Sequence, residues 1–449
     1  MTRIRLFHSV NRKRLQQAAT LFSAAWFLLA LAISPARAQT YTVLHYFNGA
    51  DGSAPQAAVI RDAAGNLYGT TVYGGDPACY NGCGTIFKVD RAGNLTTLYS
   101  FRGSSDGYEP YEGLLRDGAG NLYGVTTYGG TGTCGNGTAA CGTVFKLDPS
   151  GNLSILHTFN GGSDGATPPP GRLVADSNGN LYGATAYGGS FGFGTVYEIH
   201  RNGQETVLYS FHNSPDGNTP MAGVVLDAAN RALYGITEFG DNCPYGSIFG
   251  FGCGTVYKLS RAGESALYDF NGQQDGASPN QNLVSDSAGN LYGTTEEGGD
   301  ANCALPNIPG MQASARHWTN HPLMESTPPG CGTVFKIDAQ TGQETVLYQF
   351  TGGADGSFPA SGVVLDSAGN IYGETSGGGD ASCNPNYGGC GTVFKLDTKG
   401  NFTVLHTFTG PEGAAPEWGS LLLDGSGNIY GTTSAGGTND NGVVFKITP

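Results

Sequence analysis

The chain has 449 residues, of which 74 are glycine and only 13% are charged. Glycine this dense without a three-residue period excludes collagen and points to many tight turns, and the chain is long enough to bury a substantial core. Beyond the N-terminus no long helical pattern occurs, and the acidic balance excludes nucleic acid and anionic membrane surfaces as partners.

The first element, residues 1–38, differs from everything after it. Arg3, Arg5, Arg12, Lys13 and Arg14 form a basic region, an apolar run covers Leu21 to Ile33, and Ala36-Arg37-Ala38 puts small residues where a signal peptidase reads. This pattern predicts a secretory signal peptide, with the mature chain starting near Gln39. The alternative, an uncleaved anchor, needs about 20 apolar residues, more than this run supplies. The leader holds six of the 22 Lys and Arg and none of the 36 Asp and Glu, so the remainder carries 16 against 36, a net of −20. That charge suits cations, neutral sugars or basic partners. A secreted or periplasmic protein is expected, out of contact with the membrane after cleavage and monomeric. The sequence ends at Pro449, and no sorting tail is expected.

The remainder repeats itself. A string like T-V-L-Y-S-F ends at Phe47, Phe101, Phe159, Phe211, Phe270, Phe350 and Phe408. A string like G-L-L-R-D ends at Asp62, Asp117, Asp176, Asp227, Asp286, Asp366 and Asp424. G-N-L-Y-G or a variant places its tyrosine at Tyr68, Tyr123, Tyr182, Tyr234, Tyr292, Tyr372 and Tyr430. G-T-V-F-K or a variant places its aromatic at Phe87, Phe145, Tyr197, Tyr257, Phe335, Phe394 and Phe445. Each is a short β-branched or aromatic run bounded by Gly, Asn, Asp or Pro, which reads as a strand. Seven repeats of four strands predict an all-β, seven-bladed β-propeller spanning 39–449 as one domain. The chain opens on one unpaired copy of the first string and closes on one copy of the last, so the N-terminal strand is expected to complete the seventh blade and remove two exposed edges.

The strings G-N-L-Y-G, Y-G-G and C-G-T-V-F-K-L-D resemble the GloVer repeat of secreted bacterial "choice-of-anchor" proteins, over nearly all of the mature chain. The resemblance implies a propeller-like extracellular protein and brings no activity with it.

Let strands a to d be G-L-L-R-D, N-L-Y-G, G-T-V-F-K and T-V-L-Y-S-F. The a–b and c–d connections then lie on one face as near-invariant Asp-x-x-Gly-Asn turns. The d–a and b–c connections lie on the other face and carry the variation, so function is expected there. All ten cysteines fall in b–c loops, as Cys79/Cys83, Cys134/Cys141, Cys243/Cys253, Cys303/Cys331 and Cys383/Cys390. Repeats three and seven lack both members of a pair, the pattern of a bonded pair, and two sulfurs per loop are too few for a metal site. Five intra-loop disulfides are expected.

Residues in every repeat read as structural. The strand-a aspartates should accept hydrogen bonds from their own turns. The d–a acids Asp51, Asp106, Asp164, Asp216, Asp275 and Asp355, with Glu412 in the seventh repeat, should stabilise theirs, with Ca²⁺ binding as the alternative. No cofactor is required. The lysines Lys88, Lys146, Lys258, Lys336, Lys395 and Lys446 read as a solvated column.

Departures from the repeat carry the functional candidates. The b–c loop of repeat five, Asp300 to Gly330, holds Arg316, His317, Trp318 and His321; the two histidines, four apart, would share one face of a helical turn. Glu238 and Glu296 replace Val72, Thr127 or Ala186 of other repeats, Glu297 takes the column of Tyr73, Tyr128 and Tyr187, and Glu374 replaces a Thr or small apolar residue. Paired carboxylates could act as acid and base on a glycosidic bond; otherwise these are solvated surface glutamates. Glu109, Tyr111, Glu112, Arg172, Glu417 and Trp418 precede strand a near the channel mouth and could meet a ligand. No nucleophile elbow, phosphate loop, zincin helix or dinucleotide fingerprint is present. The expected function is a non-catalytic binding module for a glycan or an extracellular protein. The alternatives are a polysaccharide hydrolase or lyase built on Glu238, Glu296, Glu297 and Glu374 with His317 or His321, and a structural envelope component.

Overall fold

The computed structural model describes residues 39–449 except 80, 104, 112, 132–133, 135–140, 214, 228, 230, 241–252, 301–302, 304–329 and 384–387. Tyr41–Thr448 forms one compact unit. Its strands, numbered β1 to β28 in chain order, make seven four-stranded antiparallel sheets. The first blade is β2 (Ile60–Arg61), β3 (Leu67–Thr71), β4 (Thr85–Val89) and β5 (Leu95–Ser100), paired in that order. The seventh runs β26 (Leu422–Leu423), β27 (Ile429–Thr433), β28 (Val443–Thr448) and then β1 (Thr40–Tyr46), so the N-terminal strand closes the ring as expected. No helix among the described residues is long and apolar enough to cross a membrane.

The aromatic columns hold neighbouring blades together. Each strand-d phenylalanine meets the strand-c aromatic of the next blade edge to face: Phe101 and Phe145 at 5.3 Å, Phe270 and Phe335 at 5.1 Å, and Phe47 and Phe87 at 5.2 Å across the closure. These rings are almost fully buried, and edge-to-face pairs add to the hydrophobic gain of burying them. The strand-c ring lies over strand b of its own blade, which explains the glycine in N-L-Y-G. A Cβ on Gly124 would stand 2.6 Å from Phe145 Cζ. Alanine gains some strand propensity but must displace that ring, so Gly124→Ala should lower stability by about 1–2 kcal/mol, read as a lower urea midpoint at unchanged slope. An unchanged midpoint would mean that the ring relaxes freely.

The short first strands lie innermost. The residues just before them touch from blade to blade: Gly362 N donates to Gly419 O at 3.0 Å, and Gly223 N to Asn282 Oδ1 at 2.9 Å. This chain of contacts lines the central axis.

The repeated acids are spent on turns, as expected. Asp117 Oδ1 accepts from Ala119 N and Asn121 N, and Oδ2 from Asn121 Nδ2 and the Tyr123 hydroxyl. The d–a acids accept from strand d and their own turn; Asp106 takes the Tyr99 hydroxyl at 2.8 Å and Arg102 N at 3.1 Å. The described residues contain no group of three or more His, Cys, Asp or Glu placed to hold a metal. The lysine column is less solvated than expected: Lys146 Nζ lies 5.8 Å from the centre of the Tyr123 ring, and Lys395 5.3 Å from that of Tyr372.

Candidate functional site

The expected disulfides Cys79–Cys83, Cys134–Cys141, Cys303–Cys331 and Cys383–Cys390 are formed. Cys253 is also bonded; Cys243 lies outside the described residues. Bonded cysteines of this number suit a compartment outside the reducing cytoplasm. Each ends its loop directly before strand c and so anchors the loop face.

On that face the end of strand b pairs with the d–a turn. Single bridges join Tyr73 to Ser53, Tyr128 to Tyr108, Tyr187 to Ala166 and Glu297 to Ala277. Each bridge fixes two successive side chains at the mouth of the channel, one per face of the strand. The residue after the d–a proline supplies a third position: Tyr111, Asn280, Ala360 or Glu417, depending on the blade.

Blades one to three end strand b on Tyr73, Tyr128 and Tyr187, and blade two adds Tyr111 at the third position. Tyr108 and Tyr128 stack at 5.5 Å, and the Tyr73 and Tyr111 hydroxyls lie 3.4 Å apart. Tyr111 is buried against this group, and Glu109 beside it is pushed above the usual carboxylate range by burial. Tyr187 ends the arc and is 38% exposed. Burial, with Glu238 and Tyr128 adding, raises its hydroxyl to about 12. Next to it, Phe191 is 52% exposed and packs on His212 at 4.0 Å between ring centres.

Blades four, five and seven fill the same positions with acids. Glu238 is raised to about 8, by burial and then by the Glu297 charge. Glu296 is raised to about 8 by burial, then by Glu297 and Glu238, with Glu417 adding slightly and a hydrogen bond from Asn280 opposing. Glu417 is raised to about 7 by burial. Asn280 Nδ2 donates to Glu296 Oε2, and Gln281 Nε2 donates to Asn280 Oδ1 at 3.3 Å. Asn280 and Gln281 are 2% and 1% exposed, and Gln281 Oε1 has no hydrogen-bond partner. Glu238, Glu296 and Glu417 keep partial solvent contact although protein surrounds them. The surface-glutamate reading is therefore corrected: these carboxylates are enclosed, and like charge and burial both disfavour their ionised forms.

Glu374 does not join them. It is 2% exposed, bonded to Ser361 and turned toward Gly431, inside the wall between blades six and seven. It sits two residues deeper in strand b than the Glu296 position, so it points into the inter-blade core. Arg172 is an extra residue that blade three carries ahead of strand a. It is solvent-accessible, makes no ion pair among the described residues, and is held slightly below its ordinary pKa by the protein around it. Trp418 is half-buried in a left-handed conformation (φ 61°), and its N–H donates to Ala360 O at 2.7 Å. Glu112, Arg316, His317, Trp318 and His321 lie outside the described residues.

Sequence reasoning passed over Tyr187 as a site residue, together with Phe191, Asn280 and Gln281. Asn280-Gln281-Asn282 is a run of three amides in which Asn282 replaces the Ala or Gly of other repeats, and Phe191 stands in a short loop without cysteines. Both were visible as breaks in the repeat.

A family model described as the Gloeobacter/Verrucomicrobia repeat matches residues 31–249 and 323–449, most of the chain. The chain belongs to this family. No curated protein matches it. Among solved structures, a protein described as the extracellular domain of a one-component system from B. thetaiotaomicron is similar at 10% identity and a TM-score of 0.51, over 91% of this chain and 40% of that one. A GH74 enzyme from Niastella koreensis is similar at 17% identity and a TM-score of 0.50, over 90% of this chain and 53% of that one. The repeat-family chain thus spans about half or less of either structure, and at such identities the likeness is one of propeller fold.

Proposed function

We propose that this Gloeobacter/Verrucomicrobia-repeat protein acts outside the cytoplasm as a binding module that holds a glycan at the channel mouth of its disulfide-anchored face. The observation that carries the reading is the break in seven-fold symmetry there, where an arc of tyrosines ending in exposed Tyr187 meets an arc of carboxylates. Aromatic faces stack on the apolar faces of sugar rings, while a few enclosed polar groups orient the hydroxyls. The test is retention on a panel of immobilised polysaccharides, with new reducing or unsaturated ends measured in parallel. Retention without products is expected, and Tyr187→Ala should weaken it about tenfold. Retention unaffected by Tyr187→Ala would remove the mouth as the site.

A second reading, a polysaccharide hydrolase, draws on Glu238 and Glu296, held as neutral acids near pH 7 and able in principle to protonate a leaving oxygen. Product formation abolished by Glu296→Gln would replace the binding reading with this one.

A further inference from the structure

The two arcs differ in what they lack. Glu238, Glu296, Glu297 and Glu417 come from three blades, and no lysine, arginine or histidine among the described residues acts on Glu238, Glu296 or Glu417. Asn280 supplies Glu296 with a single N–H. Gln281, almost wholly buried, is tied by its terminal amide to Asn280 and thereby to the cluster, yet its carbonyl oxygen has no donor. The acid arc is therefore rich in acceptors and, among the described residues, short of donors and of positive charge, since Arg172 at the same mouth does not act on these carboxylates. Tyr187 stands close enough to Glu238 for their charges to interact, so an aromatic group adjoins the acids.

An ammonium group answers each shortage. It brings three N–H donors and one positive charge, and it gains further from an adjacent aromatic ring. The net charge of the chain without its leader draws cations toward it. Resting on the glycan reading above, we propose that the channel mouth recognises a primary ammonium group carried on the ligand, as in a polysaccharide containing 2-amino-2-deoxy sugars, with the ammonium among Glu238, Glu296 and Glu297 and the sugar ring against Tyr187. Among the described residues, the groups that titrate around this position are the four glutamates and Tyr187, with Tyr128 beside Tyr187. Binding ionises carboxylates that are partly protonated in the free protein, so it releases protons.

The test is calorimetry on the full mature protein with four probes: a glucosamine hexamer, its fully N-acetylated counterpart, a neutral glucose hexamer and spermidine. The glucosamine hexamer should bind at least about tenfold tighter than either neutral sugar. Its apparent enthalpy should shift between buffers of different ionisation heat by an amount that reports proton release. Glu296→Gln and, separately, Glu238→Gln should each reduce both affinity and proton release while leaving the unfolding transition cooperative. Equal binding of all three hexamers would overturn the ammonium inference and leave the glycan reading standing. Binding of spermidine without the glucosamine hexamer would keep the ammonium chemistry and overturn the sugar as its source. No binding of any probe would overturn both.

Discussion

A chain that begins at Asn48 should fail to fold cooperatively, and a peptide covering residues 39–47 added in trans should restore the transition. The reason lies in what β1 (Thr40–Tyr46) and Phe47 contribute. Without them β28, the mostly buried third strand of its blade, becomes an open edge where every other blade is covered by a strand d. Phe47, 1% exposed, leaves the ring of Phe87, and its N–H leaves Gly442 O. Tyr41 leaves its stacking on His406 at 3.8 Å and its hydrogen bond to Glu412 O at 2.8 Å, so the interface with blade six is lost as well. Phe47→Ala alone should cost about 3–5 kcal/mol, a large part of the about 5–15 kcal/mol by which such folds are stable. Tyr46 is 39% exposed and tests specificity: Tyr46→Ala should stay within about 0.5 kcal/mol of the parent. Circular dichroism melts of the truncated chain, with and without the peptide, decide the matter. An unaltered melt of the truncated chain would show that six complete blades and a three-stranded seventh suffice.

The architecture was legible because every blade uses the same four strings, and each string has one physical task. The paired aromatics of strands c and d set the distance between blades, the strand-b glycine makes room for the ring above it, and the strand-a aspartate closes its own turn. The surplus strand at one end and the missing one at the other gave the closure. The disulfide pairing followed from cysteines that vanish two at a time. The candidate site was legible only as a set of exceptions. Glu238, Glu296 and Glu297 could be grouped because they occupy positions that other blades give to Val72, Ala186 or Tyr187, and Glu297 lies within electrostatic reach of the other two. Glu374 was grouped with them wrongly, because its distance along the chain does not reveal its depth in the wall: two residues back along strand b keeps the same face but carries the side chain below the mouth. Glu417 was noticed but not joined to the cluster, because its link to Glu296 passes over blade six, where Ala360 occupies the matching position. Such contacts are set by ring closure, which no local pattern encodes.

The misplaced acid supports the second large prediction. Glu374 is enclosed between two blades with no cation among the described residues acting on it, its Oε1 lacks a partner, and its hydrogen bond with Ser361 offsets only part of the cost of burial. Its carboxyl is raised from 4.5 to about 8. The folded state therefore holds the proton that the unfolded state gives up, so stability from this group is complete below about pH 4.5 and declines as the pH climbs toward 8. Over the two and a half pH units from 4.5 to 7 the loss amounts to about 3 kcal/mol. Glu374→Gln removes the titration while keeping the shape. Its amide can donate to Ser361 Oγ, leaving the Ser361 proton for the Pro416 carbonyl 3.4 Å away. The variant should match the parent at pH 4.5 and exceed it by about 2–3 kcal/mol at pH 7. Glu238, Glu296 and Glu417 push the parent curve in the same direction, but they are retained in the variant and cancel in the difference. Urea unfolding of both proteins at half-unit steps from pH 4.5 to 8 reads that difference directly. Parallel curves would mean that Glu374 reaches solvent or a cation when it ionises. A diverging pair would show that this carboxylate costs the fold stability at neutral pH.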